Sequence, residues 1–369
     1  MKEQTIETTQ DRMKDPGTGQ IKNSKRPKHA AGSPLKIETK GAALRELKAA
    51  RHADILPVPD GFRDDSAGLR IDRRYSLPPG EVAEVRGVAS FENRRAKIQM
   101  RRPRGPWPTI GCRGLSLPLH ARHTIKGEHN IQLGEVKIIE HVLAMMSALN
   151  LDLDFHLTQA SFPTFDYCNR PFVDALAGRL TETGPVKRFT VRRAFAGVFD
   201  RGYFMLEAPQ KNDDERCLTM DHQITYPGEA VGNQRIVAPI TPAFFNYICG
   251  ARTTSFRPET KRIYWLTRLG IARLKYPVTT RNILFADAHK LYNPRGHFDA
   301  QPGSARNYEF ICHELMDVMA WIKFLEVKYE GKFVGRLTTH FFDHHRQIDA
   351  ARFVCESREF ETSIGIRRL

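Results

Sequence analysis

No stretch of this 369-residue chain approaches the roughly 18 to 20 uninterrupted apolar residues that a membrane-spanning helix requires. The opening residues, Met1-Lys-Glu-Gln-Thr-Ile-Glu-Thr-Thr9, hold no apolar core, so a secretory leader is not expected. The six cysteines (Cys112, Cys168, Cys217, Cys249, Cys312 and Cys355) are scattered without a C-x-x-C pair. That spacing excludes a cysteine-built zinc module and argues against a disulfide framework, leaving free thiols in a reducing cytoplasm. Zinc-finger spacing, an aromatic RNA-binding signature and a dense Lys/Arg block are all lacking, so nucleic acid is not an expected partner despite a net charge of +15.

What is present is the composition of a globular chain, 41% apolar and 27% charged, long enough for two domains and tails. Most of the positive excess lies beyond residue 75, where it reads as a generic basic surface or as one suited to a phosphorylated substrate or an anionic membrane face. Residues 1–75 lack sustained hydrophobic periodicity, apart from one short helix expected between Leu35 and Ala53. They read as a mostly disordered basic extension.

From Arg74 the pattern alternates like strands, through Glu81-Val-Ala-Glu-Val-Arg-Gly-Val88, Ala96-Lys-Ile-Gln-Met100 and Val136-Lys-Ile-Ile139. An apolar helix opens at Glu140, the strand Leu151–Leu157 follows, and Arg170-Pro-Phe-Val begins a second helix with proline in its first turn. Thr181-Glu-Thr-Gly-Pro185 is turn chemistry and marks a linker. The second half repeats the plan, with strands over 188–238, helices from Thr241-Pro and over 259–269, and a strand at Asn282–Ala286. A long helix over 306–327 and a strand from Phe333 follow, ending in the polar turn Thr338-Thr-His340. The expected fold is α+β: two similar domains, 76–184 and 188–350, whose sheets sandwich the helices, then a C-terminal tail, 351–369.

Two segments carry the chemistry. In His313-Glu-Leu-Met-Asp317 the His and Asp stand at i and i+4, about one turn apart on one helix face, where both can reach one metal ion. Glu140-His141 opens the other helix. His141 as third ligand would leave a coordination position open for water, the arrangement of a catalytic site, with Glu140 as the adjacent general base. His313-Glu-Leu-Met-Asp317 also imitates the start of the metallopeptidase H-E-x-x-H motif, but no third ligand stands at the usual short distance downstream.

The order and spacing of five landmarks resemble the UDP-3-O-acyl-N-acetylglucosamine deacetylase family, the zinc amidases of lipid A biosynthesis, over residues 78–349. The landmarks are Ile139-Glu-His-Val-Leu-Ala-Met-Met-Ser-Ala-Leu149, Pro163-Thr-Phe-Asp-Tyr-Cys-Asn-Arg-Pro-Phe-Val173, Ala251-Arg-Thr-Thr-Ser-Phe256, His313-Glu-Leu-Met-Asp317, and Gly331 through His340 against the family's G-x-F-x-A-x-K-S-G-H. The resemblance implies zinc ligands His141, His313 and Asp317 at the domain interface, with Fe2+ as the alternative metal. It implies Glu140 as general base, Thr253 as oxyanion donor and His340 as the acid that protonates the leaving amine. An acylated amino-sugar nucleotide is the implied substrate, and the cytoplasm the implied compartment.

Four departures bear on the substrate side. Glu314 stands where the family has Lys, and Trp321 replaces the acid that orients the catalytic His, with Asp343 and His344 as substitutes. Leu337-Thr-Thr-His340 replaces K-S-G-H, and Gly87-Val-Ala-Ser-Phe-Glu-Asn93 lacks the His of G-V-G-L-H-x-G. The expectation is therefore a zinc-dependent N-deacetylase. A deacetylase of another amino sugar or nucleoside, and a metal-binding paralogue without turnover, are the alternatives.

Overall fold

The computed structural model of the chain describes residues 36–38, 54–56, 68–127, 129–163, 168–199, 202–226, 229–256, 260–270, 279–300 and 306–369. Lys36–Glu38 (β1) and Asp54–Leu56 (β2) are strands inside the segment expected to be a disordered extension, and Arg73–Ser76 (β3) closes it. The rest of 1–67, including most of the short helix expected after Leu35, lies outside the described residues.

Val82–Val88 (β4) and Arg95–Arg101 (β5) pair antiparallel, as do Thr109–Cys112 (β6) and Leu115–Pro118 (β7). Thr124–Lys126 (β8), Ile131–Leu133 (β9) and Val136–Lys137 (β10) form a three-stranded sheet that leads into helix α1, Glu140–Ala148. Asp154–Leu157 (β11) then inserts between β5 and β6, giving the five-stranded order β4-β5-β11-β6-β7. Alternation decides which face is inside: Ile98, Met100, Phe155 and Leu157 are buried, while Lys97, Gln99 and His156 point away.

All nine residues of α1 are buried, as expected for a helix that is apolar nearly all round. It stops where Asn150 takes φ 53°, a left-handed conformation that asparagine tolerates; Leu151 N–H then bonds Met146 O at 2.9 Å. Two buried lysines meet the carbonyls at this negative helix end: Lys323 Nζ donates to Leu151 O at 3.0 Å, and Lys332 Nζ to Ser147 O.

Arg170–Leu176 (α2) packs on β4. Thr181–Pro185, expected as a turn and linker, is instead a strand (β12) antiparallel to β3, with a register shift between Glu182 and Gly184 that accommodates the glycine and proline. Then follow Arg188–Val191 (β13), Phe195–Phe199 (β14), Gly202–Glu207 (β15), Leu218–Tyr226 (β16) and Gly232–Pro239 (β17). Thr241 caps Pro242–Ile248 (α3), its Oγ1 accepting from Phe244 N–H at 3.1 Å. Thr254–Phe256 (β18), Thr260–Arg268 (α4) and Leu284–Ala286 (β19) form a parallel crossover unit.

The long helix expected over 306–327 is two helices, Glu309–Met319 (α5) and Ile322–Lys328 (α6). They part at Ala320-Trp321, where Lys323 N–H bonds Ala320 O and Phe324 N–H bonds Trp321 O, both at 3.1 Å, in tighter i to i−3 turns. Lys332–Phe333 (β20) precedes Gly335–His340 (β21), so Thr338-Thr-His340 is strand rather than turn. The expected tail is folded: His344–Glu356 (α7) and Ile366–Arg368 (β22), the latter pairing with β13.

The larger sheet runs β1-β14-β15-β21-β16-β17-β2, so the two short N-terminal strands occupy its opposite edges. Its inner face packs on α5, and α1 packs against α3, α5 and α6, so the helices of both halves share one hydrophobic core. Residues 35–369 form one compact unit. The fold is α+β, as expected, and the helix layer is where the halves meet.

Candidate metal centre

Helix α1 places Glu140 and His141 in its first turn; α5 places His313 and Asp317 one turn apart on the side facing α1. The packing brings three of these side chains together: one donor atom each from His141, His313 and Asp317 lies within 4.8 Å of the others. Asp317 sits between the two rings, Oδ1 3.1 Å from His141 Nε2 and Oδ2 3.3 Å from His313 Nε2. The rings meet edge to face, with centroids 5.1 Å apart.

His313 Nδ1 is 3.1 Å from Ala251 O. A carbonyl can only accept, so Nδ1 carries the proton, and Nε2 of the neutral ring turns a lone pair toward the carboxylate. Two imidazole nitrogens and a carboxylate converging in a buried place need a positive charge among them, because an uncompensated buried carboxylate costs several kcal/mol. Without a metal a proton fills that need. Burial opposes a charged His313, but Asp317, joined by Glu314 and the Ala251 carbonyl, outweighs it and the ring is pushed up to about 9. Burial likewise opposes a charged Asp317, and the two histidines hold it well below the usual carboxylate range. Asp317 Oδ1 is buried without a hydrogen-bond partner of adequate geometry. This donor set and this orphaned oxygen fit a divalent cation.

Glu140 is buried beside the cluster, and its Oε2 accepts from Ile131 N–H at 2.9 Å. Burial pushes its carboxyl up to about 7, with His141 opposing and Asp317 adding to the rise. Thr253 is tied to the site through its chain neighbours. Ala251 O meets His313, and buried Arg252 grips Glu309, the first residue of α5, with Nε to Oε1 at 2.5 Å and Nη2 to Oε2 at 2.9 Å. The Arg of the Ala-Arg-Thr segment thus clamps the residue before Thr253 to the start of α5. The Pro163–Val173 landmark joins the same loop: Asn169 and Arg170 N–H groups donate to Cys249 O at 2.8 and 3.1 Å, while residues 164–167 lie outside the described residues.

His340 is not brought to the cluster. Along β21, Leu337 and Thr339 point inward, with Thr339 Oγ1 2.8 Å from buried His222 Nδ1. His340 has the opposite parity, and its Nε2 pairs with Thr225 Oγ1 at 3.0 Å on the outer face. The histidine that reaches the site is His344, the first residue of α7, with Nε2 3.8 Å from Asp317 Oδ2. Moving the last landmark four residues on, to Gly335 through His344, keeps a Gly and a His at its ends. A sequence signal was available. Asp343 is a helix cap, its Oδ1 accepting from Arg346 N–H at 2.9 Å, which puts His344 in a helical first turn much as His141 is.

The departures are also placed. Trp321 is fully buried, packed edge-on to Phe204 and Phe342 with ring centroids 5.7 and 6.0 Å away. Among the described residues neither its Nε1 nor His344 Nδ1, both buried, has a hydrogen-bond partner, and the carboxylate nearest His344 is that of Asp317 on the Nε2 side. Asp343, a suggested substitute, is occupied in capping. Glu314 is half-buried, and burial followed by Asp317 pushes its carboxyl up to about 7.

The family model for UDP-3-O-acyl N-acetylglycosamine deacetylase matches residues 111–348. UDP-3-O-acyl-N-acetylglucosamine deacetylase from Lawsonia intracellularis is 24% identical over 226 residues, covering 61% of this chain and 67% of the relative. The enzyme of that name from Phenylobacterium zucineum is 26% identical over 209 residues, covering 56% and 65%. The Nitratidesulfovibrio vulgaris enzyme is 24% identical over 208 residues, covering 56% and 61%. The chain thus spans about two thirds of the length of these relatives.

Proposed function

The chain belongs to the UDP-3-O-acyl N-acetylglycosamine deacetylase family, and from that premise we propose that it hydrolyses the N-acetyl amide of an acylated UDP-N-acetylglucosamine, a step toward lipid A, in the cytoplasm. The convergence of His141, His313 and Asp317 within 4.8 Å, with Glu140 beside them, carries this reading. A divalent metal held by that His/His/Asp set, Zn2+ with Fe2+ as the alternative, would polarise the amide carbonyl and acidify the attacking water.

The chain's own residues supply the rest. Glu140 takes the proton of the attacking water, a task suited to a carboxyl raised to about 7 by burial. The Thr253 hydroxyl, steadied through Arg252, donates to the developing oxyanion. His344 gives a proton to the departing amine as the C–N bond breaks, releasing acetate and the free amino sugar. This is the role that the family resemblance implied for His340. The site lies between two halves, which we divide at 76–184 and 188–350.

One observation favours a second reading, a deacetylase of an amino sugar without the diphosphate. Glu314 puts a carboxylate beside the cluster, and among the described residues it makes no ion pair. The test is a metal assay combined with acetate release from the UDP-linked sugar and from phosphate-free N-acetyl sugars, for the wild type and Glu140→Ala. About one metal per chain, with turnover of the UDP-linked sugar lost in the variant, supports the first reading; turnover confined to phosphate-free sugars supports the second. Metal without hydrolysis of any substrate would point to the non-catalytic paralogue, and no metal at all would sink all three.

A further inference from the structure

The crossover unit β18–α4–β19 continues directly from Thr253. Its strands pair in parallel, Thr254 with Leu284 and Phe256 with Ala286, and Leu284 N–H bonds Thr253 O at 2.9 Å. Among the described residues the aromatic packing that fastens helix α4 to the unit runs along the face that carries Tyr264. Tyr264, half-supported by Ile263, packs on Phe285 and Tyr292, with ring centroids 5.8 and 5.1 Å away.

The flank next to this face is unusual: the Trp265 ring packs edge-on to Tyr264, centroids 5.3 Å apart, yet stays largely open to solvent. Trp265 is 47% and Leu269 66% exposed, two of the five exposed large apolar side chains among the described residues. Lys261, Arg262 and Arg268 surround them, all exposed, and no acidic residue occurs from 260 to 270. The Arg268 guanidinium lies 5.2 Å from the Trp265 ring centroid. Apolar anchors ringed by cations on a short helix, with an indole at the boundary, are the features of a helix that lies in the interface of a bilayer. A protein partner would need a hydrophobic pocket lined with acids. An anionic lipid surface supplies both complements at once, in any orientation about its normal.

We propose that α4 docks this protein on anionic lipid bilayers. Trp265 and Leu269 enter the headgroup boundary, and Lys261, Arg262 and Arg268 contact the lipid phosphates. The proposal goes beyond the deacetylase reading and does not depend on it. If both hold, the segment carrying Thr253 is presented to the surface from which an acylated substrate arrives.

Full-length protein is sedimented with vesicles of phosphatidylcholine alone and of phosphatidylcholine mixed with phosphatidylglycerol, without substrate. Trp107→Phe leaves Trp265 and the fully buried Trp321 as emitters. Binding to the anionic vesicles only is expected, with a blue shift that vanishes in Trp265→Phe. Arg262→Glu with Arg268→Glu is expected to weaken binding by about 30-fold. Leu269→Glu is expected to weaken it by about tenfold, with metal content and far-ultraviolet circular dichroism unchanged in each variant. Absent binding, binding unaltered by these substitutions (a diffuse effect of the +15 charge), or a Trp265 shift produced equally by a monomeric acyl detergent would each overturn the proposal.

Discussion

Helices α1 and α4 have nine residues each but are held in opposite ways. α1 is enclosed on every side and carries Glu140 and His141 into the core; α4 is fixed along one face and leaves a tryptophan and a leucine in water. The first arrangement suits chemistry. Donor atoms that must converge to within a fraction of an ångström are held by packing that admits no alternative rotamers. The second suits contact with something outside, where a well-defined shape matters less than an available surface. The molecule separates the two, and joins them through the short segment from Ala251 to Thr254.

The sharpest break in that contrast is His313→Ala. Metal content should fall from about one per chain to near zero, by elemental analysis, and acetate release should fall at least about 100-fold, beyond the usual cost of losing only a supporting partner. Next comes the pair of histidines. His344→Ala should lower the rate about 100-fold with metal retained. His340→Ala, on the outer face of the sheet, should leave the rate unchanged; equal losses would put the acid elsewhere.

Stability divides the helices too. Leu143→Ala opens a cavity inside α1 and should cost about 2–5 kcal/mol in urea unfolding. Leu269→Ala on α4 should change stability by less than about 0.5 kcal/mol. Between these lies an acid effect of the enclosed core. His222 is held down to about 3 by burial, helped by nearby His340 and opposed by Asp317, whereas the unfolded chain takes up the proton near 6.5. Its contribution is therefore present above pH 6.5 and is lost as pH falls toward 3, by about 1.4 kcal/mol per unit. His222→Leu should accordingly lose about 2 kcal/mol less than wild type between pH 7 and 5.

The helices that carry the proposed ligands were legible because their signals are local. An apolar run after Glu140, a His and Asp four apart, and Thr241-Pro as cap and first turn each need only a few residues of context. Failures came where distant partners decide. Thr181–Pro185 is turn chemistry that became a strand because β3 offers it an edge. The break at Ala320-Trp321 falls inside a continuous apolar run, with neither glycine nor proline to announce it. That His340 lies away from the cluster and His344 beside it rests on parity. Once the strand is known to continue through residue 340, alternation sends that ring outward, and only the helix beginning after Asp343 turns the next one in. Arg252 was read as part of a motif without a task; its pairing with Glu309, 57 residues on, is invisible before folding.

The two edge strands of the larger sheet have a consequence in time. β1 pairs with β14 and β2 with β17, joining Ile37 to Gly197 and Ile55 to Arg235. The residues that complete the sheet thus leave the ribosome long before the strands they complete. During synthesis β14 and β17 are born beside no neighbour on their outer sides, and the early segment waits through more than a hundred residues before it has a place to add. Such distant pairings form late and leave sheet margins open in the interval, when another chain could take them. Refolding without residues 1–67 should therefore tell more than truncating the finished protein: the margins would stay open permanently, and self-association should rise with concentration.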